Sequence, residues 1–274
     1  MTSTADWQGR TGEGWAAEWK RTDRSFGGLT EHLLAWSREF PFRHALDIGC
    51  GAGELSLALA RGRPQARIVG VDVSPPLIAA ARARGEHISN VEFELADASQ
   101  WRPADDFTPQ LLTSRHGVMF FPDPPAAFAN LAAFSAEDAA LLFSCFRDRS
   151  ENPAFTELAS FLPASAEPAD PYAPGPFAFA DRDRVAAVLT DAGWADVAFE
   201  PFDFAMVTGV GDDAVEDALI FYQRIGPAAA ALREMDKTAR NEVLAAMRNI
   251  LTEHCRDGVV ALRAAAWIVT ARRG

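Results

Sequence analysis

The chain has 274 residues, 49% of them hydrophobic, enough to fill the core of one α/β domain with additions. Its 38 acidic against 26 basic side chains leave a net charge of −12, which would repel a polyphosphate backbone and argues against a nucleic-acid partner. No stretch reaches the length of a membrane helix, the N-terminal residues hold no apolar leader core, and Cys50, Cys145 and Cys255 lie far apart without CxxC spacing. The expectation is a cytoplasmic protein with reduced thiols, no membrane contact and no metal site.

Residues 1–40 read as mostly helical and carry Trp7, Trp15, Trp19 and Trp36. Trp15 and Trp19 are four apart and share a helix face, so the segment either packs onto a sheet or caps a pocket. His44 to Ile48 then reads as a short parallel strand, and Leu55, Ala58, Leu59 and Gly62 repeat at helical spacing. Between strand and helix stand Gly49, Gly51 and Gly53. The first two let the backbone bend tightly and admit a ligand where a Cβ would clash, and the third sets the helix against the strand.

The ligand of such a turn depends on spacing and charge. A dinucleotide site uses GxGxxG and offers its helix N-terminus to a pyrophosphate. Here the spacing is GxGxG, Glu54 follows directly, and Asp47 stands two residues before the first glycine, so a phosphate would meet two carboxylates. S-adenosylmethionine (SAM) has no phosphate and carries a cationic ammonium and sulfonium, which an acidic mouth attracts.

The next strand, Arg67 to Val71, ends in Asp72, where ribose hydroxyls are expected. Val73 follows as an apolar surface for adenine, and Ser74-Pro75 gives an N-cap and an N1 proline to a helix closing near Gly85. A third strand, Val91 to Leu95, leads to Asp97, placed to accept from the adenine amino group, and to Ala98, whose N–H would donate to the ring. After a fourth strand come Ser114, Arg115 and His116. Asp123-Pro124 starts a helix with Phe128, Leu131 and Ala132 facing inward, and Ala140 to Phe146 forms a buried fifth strand.

Five prolines between Pro163 and Pro176 predict an extended loop. Asp181 caps a helix that Gly193 ends, and Val197 to Phe204 is a sixth strand broken at Pro201. Residues 210–257 are helical by pattern, interrupted at Gly226-Pro227, and Ala264 to Ala271 closes the chain as a seventh strand.

ALDIGCGAG, VGVDVS (Val69 to Ser74) and ELADAS (Glu94 to Ser99) resemble the first three motifs of the class I SAM-dependent methyltransferases, over roughly Phe42 to Arg147. More loosely, SRHGVMFFPDP and GPFAFADRDRV are similar to a bacterial branch near the ubiquinone and menaquinone methyltransferases. The resemblance implies Asp47, Gly49, Gly51 and Gly53 at the methionine end of SAM, Asp72 and Val73 at ribose and adenine, and Asp97 and Ala98 at the adenine edge. Ser114 joins this cofactor set. Two places depart from the family: Thr108-Pro109-Gln110 and Ser135-Ala136-Glu137-Asp138 stand where an Asp and a Pro-Gly-Gly turn are usual.

The expected architecture is α/β, a Rossmann-like seven-stranded sheet, mostly parallel with an antiparallel last strand and helices on both faces. It forms one domain: a helical cap (1–40), a SAM-binding core (41–205), a helical insertion or lid (206–258) and a final strand (259–274). The expected activity is methyl transfer from SAM to a small, apolar or aromatic molecule, with S-adenosylhomocysteine as product. His116, with an ordinary pKa near 6.5, is the candidate base, and Arg115 the candidate clamp for an anionic acceptor group. Phe120, Phe121, Phe177, Phe179, Phe202 and Phe204 are candidates to line an apolar acceptor site. Asp123-Pro124-Pro125 resembles the signature of amino-methylating nucleic-acid enzymes but lacks its aromatic residue, and reads as a helix cap. The competing classes are an NAD-dependent oxidoreductase and a SAM-binding protein without catalysis. Oligomeric state has no sequence signal.

Overall fold

The computed structural model describes residues 3–104, 106–162, 170 and 172–274. Most of the proline-rich loop expected at 163–176 lies outside the described residues. Strands β1 (His44–Ile48), β2 (Arg67–Asp72), β3 (Val91–Leu95), β4 (Leu111–Arg115) and β5 (Ala140–Phe146) run parallel in the order 3-2-1-4-5. The apolar runs that made these strands legible are the ones that lose both faces to packing: every residue of β5 is buried, as are the last four of β1.

The chain winds outward from β1 to β3, then restarts on the other side of β1 with β4. That reversal opens a crevice at the carboxyl ends of β1 and β4, where open α/β sheets bind ligands. Helices α5 (Glu54–Gly62) and α6 (Pro75–Gly85) connect the first three strands. α6 ends at Gly85 as expected, but the Ser74 side chain does not cap it; the Ser74 N–H donates instead to Asp72 Oδ1 at 2.9 Å. Asp123 does cap α7 (Pro124–Phe134), accepting from the Ala126 N–H at 3.1 Å.

The far edge of the sheet departs from expectation. β8 (Val259–Arg273) lies antiparallel between β5 and β6 (Trp194–Val210), and both strands are far longer than their apolar cores. Pro201 does not break β6: it sits opposite Trp267, tolerated because β6 is the edge of the sheet and needs no outward ladder donor. Among the described residues the sheet has eight strands, not seven. β7 (Cys255–Arg256) turns back onto β8 through Asp257-Gly258, whose φ angles of 50° and 74° are the paired positive values of a tight hairpin.

Four helices, α1 (Thr4–Gln8), α2 (Arg10–Ala17), α3 (Trp19–Ser25) and α4 (Gly27–Ser37), precede the sheet. Leu29 and Leu33 of α4 are completely buried in the core. Between β6 and β7 come α10 (Ala214–Arg224), α11 (Gly226–Glu234) and α12 (Lys237–Glu253), broken near Gly226 as predicted and again at Met235-Asp236. α10 presses on β6 at Gly209, where a Cβ would fall 1.9 Å from the Ala214 carbonyl oxygen. No helix among the described residues is long and apolar enough to cross a membrane.

At the two departures from the family pattern, local chemistry substitutes. Gln110 Oε1 accepts from the Arg43 and His44 N–H groups at 3.0 and 2.8 Å, and Asp138 takes the left-handed turn (φ 61°) before β5. Asn152, fully buried at the head of helix α8 (Pro153–Ala159), accepts from the Ala265 N–H at 2.8 Å and donates to three carbonyls, one of them Ala265. Replacing it strands those backbone groups, so Asn152→Ala should cost about 2–3 kcal/mol in urea unfolding; a loss below about 0.5 kcal/mol would show the staple to be dispensable.

Candidate active site

A cleft of about 240 Å³ opens at the carboxyl ends of β1, β2 and β4, far above the roughly 10–15 Å³ that one buried water needs. Its floor is backbone. Gly49 (φ 64°) approaches the β4 side so closely that a Cβ would fall 2.9 Å from Gly117 Cα, whereas a Cβ on Gly51 (φ 56°) would meet nothing within 4 Å. Gly53 does not line the cleft: its missing Cβ makes room for the Phe93 ring, 2.8 Å from where that carbon would be. Two glycines therefore shape the floor and the third sets how close α5 lies to β3.

Three carboxylates ring this floor, from Asp47, Asp72 and Asp97. Asp47 accepts from the Ser56 hydroxyl at 2.5 Å, and burial, reinforced by the nearby Asp72 charge, raises its pKa to about 7. Asp72 accepts from the Gly51 N–H and the Ser74 N–H, both at 2.9 Å, and burial raises its pKa as well. Asp97 accepts from the Ser99 N–H and hydroxyl at 2.9 and 2.6 Å, which fixes its turn. Val73 and Ala98 line the same wall.

Glu54, expected to confront a phosphate alongside Asp47, is already answered. Arg84 donates to its carboxylate at 2.6 Å, to the Ala52 carbonyl in the glycine turn at 2.7 Å and to Asp23 of α3 at 2.7 Å, while its guanidinium lies 3.8 Å above the Trp19 ring. Asp23 lines the cleft, and burial raises its pKa to about 6 despite Arg115 and Arg84.

Ser114 and Arg115, expected after the fourth strand, are the last two residues of β4, His116 follows it, and the three divide in role. Ser114 is completely buried; its hydroxyl donates to the Ile48 carbonyl at 2.7 Å and accepts from the Gly117 N–H at 3.0 Å, holding the two backbones together beneath the cleft. Its expected place as a cofactor contact is corrected to that of a brace. Arg115 donates to the Thr30 hydroxyl at 2.7 Å and stands 3.5 Å from Asp23, so it is tied to the N-terminal helices and not free to clamp an anion.

His116 adopts φ 65°, stacks on Phe146 at 4.1 Å, and meets the edge of Phe26 at 5.5 Å. Burial pushes its pKa down to about 3, opposite to the near-neutral base expected.

The cover is aromatic. Trp7, Trp15 and Trp19 all line the cleft, Trp7 packing on Trp15 at 5.6 Å and on Phe120 at 5.1 Å. Trp36 lies elsewhere, donating to Glu200 at 3.2 Å. Of the six phenylalanines expected around the acceptor only Phe120 and Phe121 line the cleft; Phe179 is core, and Phe202 stacks between His32 and Phe204. The wall missed by sequence reasoning comes from Phe155 of α8 and from Phe221, Tyr222 and Ile225 at the start of the insertion. Nothing in their spacing distinguishes them from core residues. Asp23 and Arg84 were missed for a related reason: they are 61 positions apart and meet only in the folded chain.

Comparison with known proteins bears on this floor. Residues 45–137 match the family model described as a methyltransferase domain. That segment is methyltransferase-like. It holds the glycine turn, all three ring carboxylates and His116. Among curated proteins, the trans-aconitate 2-methyltransferase of Methylobacterium radiotolerans is 36% identical over 81 residues, covering 30% of this chain and 29% of its own. That of Deinococcus radiodurans is 33% identical over 99 residues, 36% of each chain. The chain thus aligns with only about a third of the length of these relatives.

Among solved structures, the Haemonchus contortus phosphoethanolamine N-methyltransferase 2 bound to S-adenosylhomocysteine superposes with a TM-score of 0.57 at 18% identity, covering 100% of this chain and 60% of that one. The Bacillus subtilis YcgJ protein gives 0.55 at 17% identity, over 88% and 97%. These likenesses establish the Rossmann-like fold, mostly parallel with an antiparallel edge.

A Gly49→Ala substitution should drive the turn away from Gly117 and weaken S-adenosylhomocysteine binding by more than about tenfold in calorimetry, with the circular dichroism spectrum retained. Unchanged affinity would mean that the two backbones need not touch.

Proposed function

We propose that this protein is a SAM-dependent methyltransferase acting on a small molecule. The observation that carries the reading is the glycine floor ringed by Asp47, Asp72 and Asp97: it is open to close approach and acidic, and the one basic side chain that lines the cleft among the described residues, Arg115, is already engaged by Thr30 and Asp23. An oxidoreductase built on a pyrophosphate contact has no support in such a floor. SAM fits because it brings positive charge to the carboxylates and a nucleoside to the apolar Val73–Ala98 wall.

In this reading Asp72 and Val73 hold ribose and adenine, Asp97 and Ala98 the adenine edge, and Asp47 with Gly49 and Gly51 the methionine end. Bound SAM supplies a methyl group already activated by its positive sulfur, so the chain must mainly align an acceptor and keep water out. The tryptophans of α2 and α3 and the first helix of the insertion supply that cover, as a cap and part of a lid. His116, neutral at physiological pH, orients the acceptor through a hydrogen bond and does not act as the standing base. Arg115 fixes the cap to the core through Thr30 and Asp23.

The acceptor is small and apolar or aromatic, matching the ring-lined upper cleft. A place near the quinone-methylating branch remains part of this reading, carried by residues 114–124. The acceptor named for the curated relatives, an aconitate, is an anion, and the only Arg or Lys lining the cleft among the described residues is the already engaged Arg115. Incubation with methyl-labelled SAM and a panel of phenols, quinols, carboxylic acids and amines should label phenols or quinols. Labelling of polar amines alone would reject the acceptor class, and SAM binding without transfer to any acceptor would reject catalysis.

Protons give a second test. Asp47 titrates at about 7 in the free protein, above its ordinary 3.8, so the fold binds that proton more tightly than the unfolded chain, and the free protein loses stability as pH rises from about 4 to 7. A cation beside it favours the carboxylate, so SAM binding near pH 6 should release a proton and tighten as pH rises toward 7. Calorimetry in buffers of different ionisation enthalpy reads this directly. Proton uptake, or affinity that falls over that range, would separate Asp47 from the cationic ligand.

A further inference from the structure

Arg84, in the last turn of α6, does not itself line the cleft, yet it bonds to both sides of it. Nη1 donates to the carbonyl of Ala52, inside the glycine turn, at 2.7 Å. Nη2 donates to Glu54 in the first turn of α5 at 2.6 Å and to Asp23 of α3 at 2.7 Å, and the guanidinium lies 3.8 Å from the centre of the Trp19 ring. Ala52, Trp19 and Asp23 all line the cleft, and Trp19 and Asp23, four apart, share one face of α3. One planar fork, 14% exposed, therefore holds a piece of the floor and a piece of the cover at once, a geometry that a lysine ammonium cannot reproduce.

The fork also neutralises a conflict. Asp23 and Glu54 accept from the same Nη2, which brings together two carboxylates from different layers. Burial foremost, with the Glu54 charge adding to it, raises the Asp23 pKa. Without the guanidinium these acids repel across the boundary between cap and turn, and Trp19 loses the cation over its face. At the other end of α6, Gly12 of α2 lies so close to Ser74 Oγ that no Cβ fits there, so the cap rests on this one helix at both ends.

The glycine turn is the softer partner in this joint. Gly49, Gly51 and Gly53 all have positive φ, and a Cβ on Gly51 would meet nothing within 4 Å. A ligand that settles the turn settles the Ala52 carbonyl, and through it the guanidinium and the two cap residues bonded or stacked on it. Such coupling is reciprocal, so whatever steadies the cap steadies the turn.

We propose that Arg84 is a positioning residue that couples the glycine turn to the aromatic cap, so that occupancy of the floor orders Trp19, Asp23 and the helices that carry them. This rests on the reading above for what occupies the floor, but the joint itself is tested without a ligand. Hydrogen exchange read by mass spectrometry compares the wild type with Arg84→Met, which keeps an unbranched stem and removes the fork. In the free protein, amides of residues 10–25 and of residues 49–54 should both exchange at least about fivefold faster in the variant, with those of β5 unchanged as the sign of an intact core. If Arg84→Met does not fold, Arg84→Lys, which keeps the charge and loses the fork, should move the same two segments in the same direction. Saturating S-adenosylhomocysteine should slow exchange in residues 10–25 at least about threefold in the wild type and by less than about 1.5-fold in the variant, although calorimetry still shows it bound. Failure of the wild type to bind S-adenosylhomocysteine would count against the cofactor reading and leave the joint to be decided by the free proteins. Unchanged exchange in either segment of the free variant, or a full response of its cap to the bound ligand, would overturn the proposal.

Discussion

The hydrogen bond from the Gly51 N–H to the Asp72 carboxylate, at 2.9 Å, ties the end of β2 to the turn leaving β1, and the cleft is built around it. The same carboxylate receives the Ser74 N–H and so fixes the entry to α6. On the opposite side Ser114 clamps the Ile48 carbonyl and the Gly117 N–H, which holds the two backbones within contact across the reversal in strand order. One buried carboxylate and one buried hydroxyl thus define a floor that side chains barely enter. Its negative character is structural first: these acids are used to shape backbone before any ligand arrives.

The N-terminal helices are bound to this floor by charge as well as by apolar contact. Arg84 reaches the glycine turn, the first turn of α5, Asp23 and the face of Trp19 at once. Glu18, almost fully buried in α3's lead-in, pairs with Arg21 of the cap and Arg224 of α10, and Asp217 of α10 pairs with Arg21 and Arg24. Cap, core and insertion therefore share two ionic junctions, both partly buried, where removing one partner would leave an uncompensated charge. This gives the aromatic cover a fixed position over the cleft, beside the apolar anchor that Leu29 and Leu33 drive into the core.

How much of this was legible in the sequence follows from how local each signal is. The five parallel strands, the glycine turn and the Asp123 cap could be read because each is encoded within a few residues: an apolar run, a GxGxG spacing, an acid before two prolines. The edge was misjudged because β6 and β8 continue past the runs legible in the sequence, and pairing, not composition, makes residues such as Arg263 and Arg272 strand. Asp257-Gly258 was a local hairpin signal that went unused. His116 was found by position and misread in chemistry, since the low pKa comes from Phe26 and Phe146 closing around it, contacts made by distant segments. Ser114 was likewise placed correctly along the chain and misjudged in direction. The acceptor wall was the least legible part, because Phe155, Phe221 and Tyr222 carry no pattern until α8 folds against β8 and α10 against β6.

The central claim is that this floor accepts a cationic, phosphate-free nucleoside. Thermal unfolding of the purified protein with SAM and, separately, with NAD at equal millimolar concentration tests it most directly, because a ligand bound only to the folded state raises the midpoint. The account predicts a clear rise with SAM and none with NAD. A rise with NAD and none with SAM would contradict it.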